Sequence, residues 1–84
     1  MTIPQYDTVF QQVETLLKEH AQLQAPIKDD TDLINDLGFD SLKLMEMLEE
    51  VEDIFDITYP LNNLSELHTV KDFVLQIQQI MGGE

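Results

Sequence analysis

Apolar residues recur at steps of three and four in three separate stretches of this chain, and each stretch predicts a helix. In the first, Tyr6, Val9, Phe10, Val13, Leu16 and Leu17 form one stripe, predicting a helix from about Ile3 to His20. Thr2 followed by Gln5 resembles a capping box, and Pro4 suits an early helical position. The second helix is predicted over Ser41–Phe55, with Asp40 as its N-cap. The third begins after Thr69, a good N-cap with Asp72 in the first turn. Its stripe is Val70, Phe73, Val74, Ile77, Ile80 and Met81, and Gly82 and Gly83 are expected to close it.

Between the first two helices, residues 21–40 show no sustained period. Pro26, Lys28, Asp29, Asp30 and Thr31 read as loop, and Thr31 is expected to cap a short turn through Asp32, Leu33 and Ile34. A loop this long in a small domain needs anchors; Leu23, Ile27, Leu33, Ile34 and Leu37 are the candidates, with Gly38 punctuating the end. After helix two, Pro60 ends an extended stretch from Ile57 to Tyr59, and a short helical turn is expected around Asn63–Leu67. The prediction is an all-α, four-helix up-and-down bundle, three helices long and one short, with a long first loop. Residues 1–84 are expected to form one domain.

The second helix has an unusual surface. With Leu42 at zero and about 100° added per residue, Leu44, Met47, Leu48, Val51, Ile54 and Phe55 gather on the side expected to face the core. Glu46, Glu49, Glu50 and Asp53 gather opposite, with Leu42 in their midst and Met45 at the edge between Glu49 and Glu52. Two apolar side chains ringed by acids, beside Ser41, have the composition of a docking site. Single exposed apolar residues are otherwise ordinary.

Charge narrows the partners. Seventeen acidic residues stand against four basic ones, for a net charge of −13. Nucleic acid is excluded as a direct partner, because phosphate binding draws on Lys and Arg. Basic patches on other proteins are favoured. The chain has no cysteine, which excludes disulfides and a Cys-based zinc site and fits the cytoplasm. Met1–Tyr6 lack the pattern of a signal peptide, and no apolar run approaches the ~18 residues of a membrane helix.

The chemistry centres on Asp36-Leu37-Gly38-Phe39-Asp40-Ser41-Leu42. A serine at a helix mouth lies beside first-turn N–H groups that lack intrahelical partners, where a phosphate ester would be held. Taken alone, Asp40-Ser41 reads as a plain N-cap pair. In order and spacing, however, Asp36-Leu37-Gly38-x-Asp40-Ser41-Leu42, then Glu46 and Phe55, then Pro60 and Thr69-Val70, resemble the acyl carrier protein family across essentially the whole chain. The resemblance implies that Ser41 accepts 4′-phosphopantetheine from coenzyme A and that the terminal thiol carries an acyl group as a thioester. It further implies a non-enzymatic, monomeric carrier. Its partners would be a phosphopantetheinyl transferase and acyl-loading and acyl-transferring enzymes with basic patches, meeting Leu42, Met45, Glu46, Glu49, Glu50 and Asp53. The pathways implied are fatty-acid, polyketide or specialised lipid biosynthesis.

Two residues depart from the family pattern. Lys43 stands where fatty-acid members usually have an acidic or small polar residue; it lightens the negative patch and points to a dedicated pathway. Tyr59 stands where a smaller aliphatic residue is common, and would either narrow a cleft beside helix two or cover the core edge. Rival readings are an aminoacyl or peptidyl carrier on the same serine, an unmodified acidic adaptor, and a hydrolase using Ser41 with His20 or His68. The hydrolase lacks any motif placing a base beside the serine. Asp29, Asp30, Asp32, Asn35 and Asp36 fit no EF-hand frame; counting from Asp30, for example, position six is Asn35 and position twelve Ser41.

Overall fold

The computed structural model describes residues 4–21 and 26–83. Helix α1 spans Tyr6–His20, α2 Ser41–Phe55 and α3 Val70–Gly83, with a 3-10 helix at Leu61–Glu66 between the last two. The order is the expected one, three long helices and one short. Thr2, with its proposed capping role, and Leu23 lie outside the described residues. Helix α1 begins at Tyr6 rather than Ile3; Gln5 precedes it without a side-chain cap.

The predicted stripes form the core. Val9, Val13, Leu16 and Leu17 of α1 meet Leu44, Met47, Leu48 and Val51 of α2 and Val70, Phe73, Val74 and Ile77 of α3. Ile27, Leu33, Phe39, Tyr59 and Leu67 from the connections complete it. Ile54 does not join. It is 46% exposed, beside an open groove of about 390 Å³ where α1 presents Gln11, Gln12 and Thr15. Of the α1 side chains lining that groove only Leu16 is apolar; Gln11, Gln12, Thr15 and Glu19 are polar and leave Ile54 largely uncovered.

The long loop is pinned mainly through its backbone. Leu33 N donates to His68 O (2.9 Å), Val70 N to Thr31 O (3.0 Å) and Lys71 N to Asp29 O (2.9 Å). The Thr31 hydroxyl accepts from Lys28 N (2.8 Å) instead of capping the next turn. Asp32 takes the capping role: its Oδ1 accepts from Ile34 N (2.9 Å) and Asn35 N (2.8 Å). That turn rotates Ile34 outward, 49% exposed, so Ile34 is not an anchor. Gly38 has φ +75° with no neighbouring atom near the position of a Cβ, so backbone strain, not space, favours glycine there.

The start of α3 is a reciprocal capping box. Asp72 N donates to Thr69 Oγ1 (3.2 Å), while Thr69 N and His68 N donate to Asp72 Oδ2 (3.0 and 3.1 Å). Gly82 and Gly83 lie inside α3's last turn rather than beyond it. At the end of α2, Asp56 adopts the left-handed conformation (φ 57°) and Ile57 N reaches back to Glu52 O (3.1 Å).

Candidate functional site: the mouth and outer face of α2

Asp40 is extended, and its Oδ1 accepts from Lys43 N (2.9 Å) while its carbonyl accepts from Leu44 N (2.9 Å). Capping by the carboxylate stops the chain from extending the helix backwards and leaves Ser41 as its first residue. Ser41 is exposed. Its hydroxyl takes no part in the hydrogen bonds among the described residues, and the Ser41 and Leu42 N–H groups also have no acceptor there.

These features fit a phosphodiester on Ser41 Oγ. The ester would add to a free, outward hydroxyl, and two unpaired N–H groups at the positive end of a helix would face it. The Asp40 carboxylate beside it is already committed to Lys43 N.

The outer face of α2 carries Leu42, 66% exposed, and Met45, 40% exposed. Glu46, Glu49 and Asp53 are exposed as well, while Glu50 is half-buried. Lys43 lies off this face, about 100° around the helix from Leu42. There it faces α1, its Nζ 3.3 Å from Glu46 and 3.5 Å from Nδ1 of His20. His20 in turn contacts Glu50 through Nε2. The four side chains thus join the end of α1 to the first three turns of α2. The sequence pattern gave no sign of this bridge, because His20 and Lys43 belong to different periodic segments. His20 is therefore held by α2 side chains, not placed beside Ser41 as a base. His68 sits at the mouth of α3.

On the other flank, Glu52 Oε2 accepts from Tyr59 N (2.8 Å). Tyr59 is buried, edge-on to Phe73, with its hydroxyl on Gln76. The Gln76 amide continues to Asn63 O (3.1 Å), fastening the 3-10 helix to α3. Burial, with a smaller contribution from Asp72, pushes the Tyr59 phenol well above its ordinary value. Of the two roles weighed for Tyr59, it takes the core-covering one.

The acidic loop is likewise committed to structure. The Asn35 backbone and side-chain amides, ahead of Ile34 N, hold the Asp32 carboxyl below the usual carboxylate range. Asp36 Oδ2 accepts from Asp32 N (2.8 Å). Tyr6 donates to Asp29 (3.1 Å), and burial followed by that bond pushes its phenol up to about 12. Among the described residues, no helix is long and apolar enough to cross a membrane.

A three-helix domain with a free serine at a helix mouth and an apolar-and-acidic face beside it has the form of a small carrier domain. Comparison with known proteins gives the particular family. A family model described as the phosphopantetheine attachment site matches residues 8–77. The acyl carrier protein of Coprothermobacter proteolyticus is 33% identical over 69 residues, covering 81% of this chain and 84% of that protein. The acyl carrier protein of Campylobacter hominis is 34% identical over 74 residues, covering 86% and 92%. The non-reducing polyketide synthase dbaI of Emericella nidulans is 37% identical over 82 residues; these cover 96% of this chain but 3% of the synthase. The chain belongs to the acyl carrier protein family. It carries acyl groups on phosphopantetheine, whose terminal thiol, absent from this cysteine-free chain, forms the thioester with the acyl group, and it does not itself catalyse a reaction. A phosphopantetheinyl transferase and biosynthetic enzymes are its partners.

Proposed function

We propose that residues 1–84 form one carrier domain in which Ser41 Oγ is the attachment point. The outer face of α2, comprising Leu42, Met45, Glu46, Glu49, Glu50 and Asp53, docks the enzymes that load and unload the arm. The observation that carries this reading is the exposed hydroxyl of Ser41 at the mouth of α2, with Asp40 capping the helix through Lys43 N. The chain's other serine, Ser65, has its hydroxyl already turned onto Asn62 O (3.2 Å) and does not open a helix of comparable length. Relatives among acyl carrier proteins and polyketide synthases support a polyketide or fatty-acyl cargo. The proposal takes the carrier to be a monomer in the cytoplasm. An aminoacyl cargo would instead require an adenylating partner.

Incubation with coenzyme A and a broad-specificity transferase is expected to add one phosphopantetheinyl group, recovered by peptide mapping on Ser41. Ser41→Ala should keep its thermal melt and stay unmodified, since Asp40 still caps the helix. A group mapped to Ser65, or no mass change under conditions that modify a control carrier, would overturn the assignment.

A further inference from the structure

Helix α2 has five acids and one base, Lys43. Three of those acids have partners inside the fold. Glu46 is held by Lys43 at 3.3 Å, Glu50 by His20, and Glu52 by Tyr59 N at 2.8 Å. Glu49 and Asp53 have no hydrogen-bond or ion-pair partner among the described residues, and both are exposed. An exposed pair three residues apart would ordinarily be loose. Lys43, however, is also tethered across to α1 by His20, at 3.5 Å in a partly buried contact. Its ammonium is therefore restrained from both sides.

We propose that Lys43 and His20 withdraw Glu46 and Glu50 from partner contact, leaving Glu49 and Asp53 as the acids that a docking enzyme pairs with. The inference rests on reading the outer face of α2 as the docking face, and it selects among that face's acids. At a distance, charges simply add, so the net negative field that steers encounter is unaffected by which acids are paired. At contact the cases differ. A partner guanidinium or ammonium meets a Glu46 carboxylate already held through Oε1 by Lys43 and a Glu50 carboxylate already held through Oε2 by His20, and must compete with them. Glu49 and Asp53 can be taken without displacing anything.

The partner's shape follows. Glu49 and Asp53 are one turn apart and lie within about 20° of Leu42 around the helix. At 1.5 Å per residue they stand about 10 Å and about 16 Å beyond Leu42 along the axis. The matching surface is an apolar pocket for Leu42, followed at those distances by two Arg or Lys side chains on one line.

The test measures the Kd of a phosphopantetheinyl transferase for the full chain at about 0.15 M salt, where long-range steering is screened beyond about 8 Å. Glu49→Gln and Asp53→Asn should each weaken binding about fivefold or more, and Glu46→Gln and Glu50→Gln less than about twofold. In a Lys43→Gln background, Glu46→Gln should rise to the cost of Glu49→Gln, because Lys43 no longer occupies the carboxylate. Melting curves confirm that each variant folds. If Glu46→Gln costs as much as Glu49→Gln in the native background, or is unchanged by Lys43→Gln, the inference is overturned while α2 remains the docking face. If Leu42→Ala, Met45→Ala and all four acid variants bind like the native chain, α2 is not the docking face and both readings fall.

Discussion

Asp32 illustrates how a single side chain sets the loop ahead of Ser41. Its carboxylate accepts from Ile34 N and Asn35 N, so the charged form is favoured in the folded state. A depressed carboxyl contributes stability above its ordinary value of 3.8, and that contribution is lost as pH falls through the lower folded value. The amide signals of Ile34 and Asn35 should therefore hold steady down to about pH 4 and shift only below it. Asp32→Asn, which keeps an acceptor but not the titration, should abolish the shift; a midpoint above pH 4 would contradict the bonding. Tyr59 is the counterpart in the core. Tyr59→Phe leaves Gln76 Oε1 without its donor and should cost about 1 kcal/mol in a denaturant melt. The sign for the phenol is the reverse of Asp32: with its pKa raised by burial, the neutral form is favoured. It contributes stability below pH 10.0 and loses it only as pH rises through the higher folded value. The segment around Asp32 was visible as acidic loop in the sequence. Which residue would cap the turn was not, because Thr31 and Asp32 are both competent caps and only the position of Lys28 N engages the Thr31 hydroxyl.

Helix α2 divides cleanly into faces whose energetics differ. Leu48 is 3% exposed, so Leu48→Ala should cost about 2–5 kcal/mol. Leu42→Ala and Met45→Ala remove side chains that are 66% and 40% exposed and should each cost under about 1 kcal/mol, appearing instead in partner affinity. Ile54→Ala belongs with the cheap variants, although the helical pattern groups it with Val51. Equal melts for Leu42→Ala and Leu48→Ala would show that Leu42 is buried. Helix α3 offers a separate test: Thr69→Ala removes one half of its capping box and should cost about 1 kcal/mol. The element pattern was legible because helical periodicity depends only on residue order. The edges of the faces were not. Whether Ile54 is covered depends on what α1 presents opposite it, and there Gln11, Gln12 and Thr15 are polar.

On the scale of the whole molecule, the net charge of −13 sits on a body whose described residues span 36 × 24 × 20 Å. Of the four lysines, Lys18 pairs with Glu14 and Lys43 with Glu46, while Lys28 and Lys71 lie close together near the start of α3. Most of the negative charge is thus left to repel itself. The Debye length falls from about 30 Å at 0.01 M salt to about 10 Å at 0.1 M, from comparable with the molecule to well inside it. The melting temperature should rise over that range, and millimolar magnesium should raise it at least as far as monovalent salt at matched ionic strength. A melt indifferent to both would contradict self-repulsion as a destabilising force. The amino-acid order by itself determined the three long helices, their core stripes, the caps at Asp40 and Thr69, and the serine at the mouth of α2. All of these follow from local periodicity and from hydrogen bonds between residues three or four apart. Only the tertiary structure decided that Lys43 turns to His20, that Glu50 is engaged by His20 and Glu52 by Tyr59 N, and that Ile54 stays outside the core. Those outcomes depend on side chains brought together from distant parts of the chain, and no local period encodes which of them will meet.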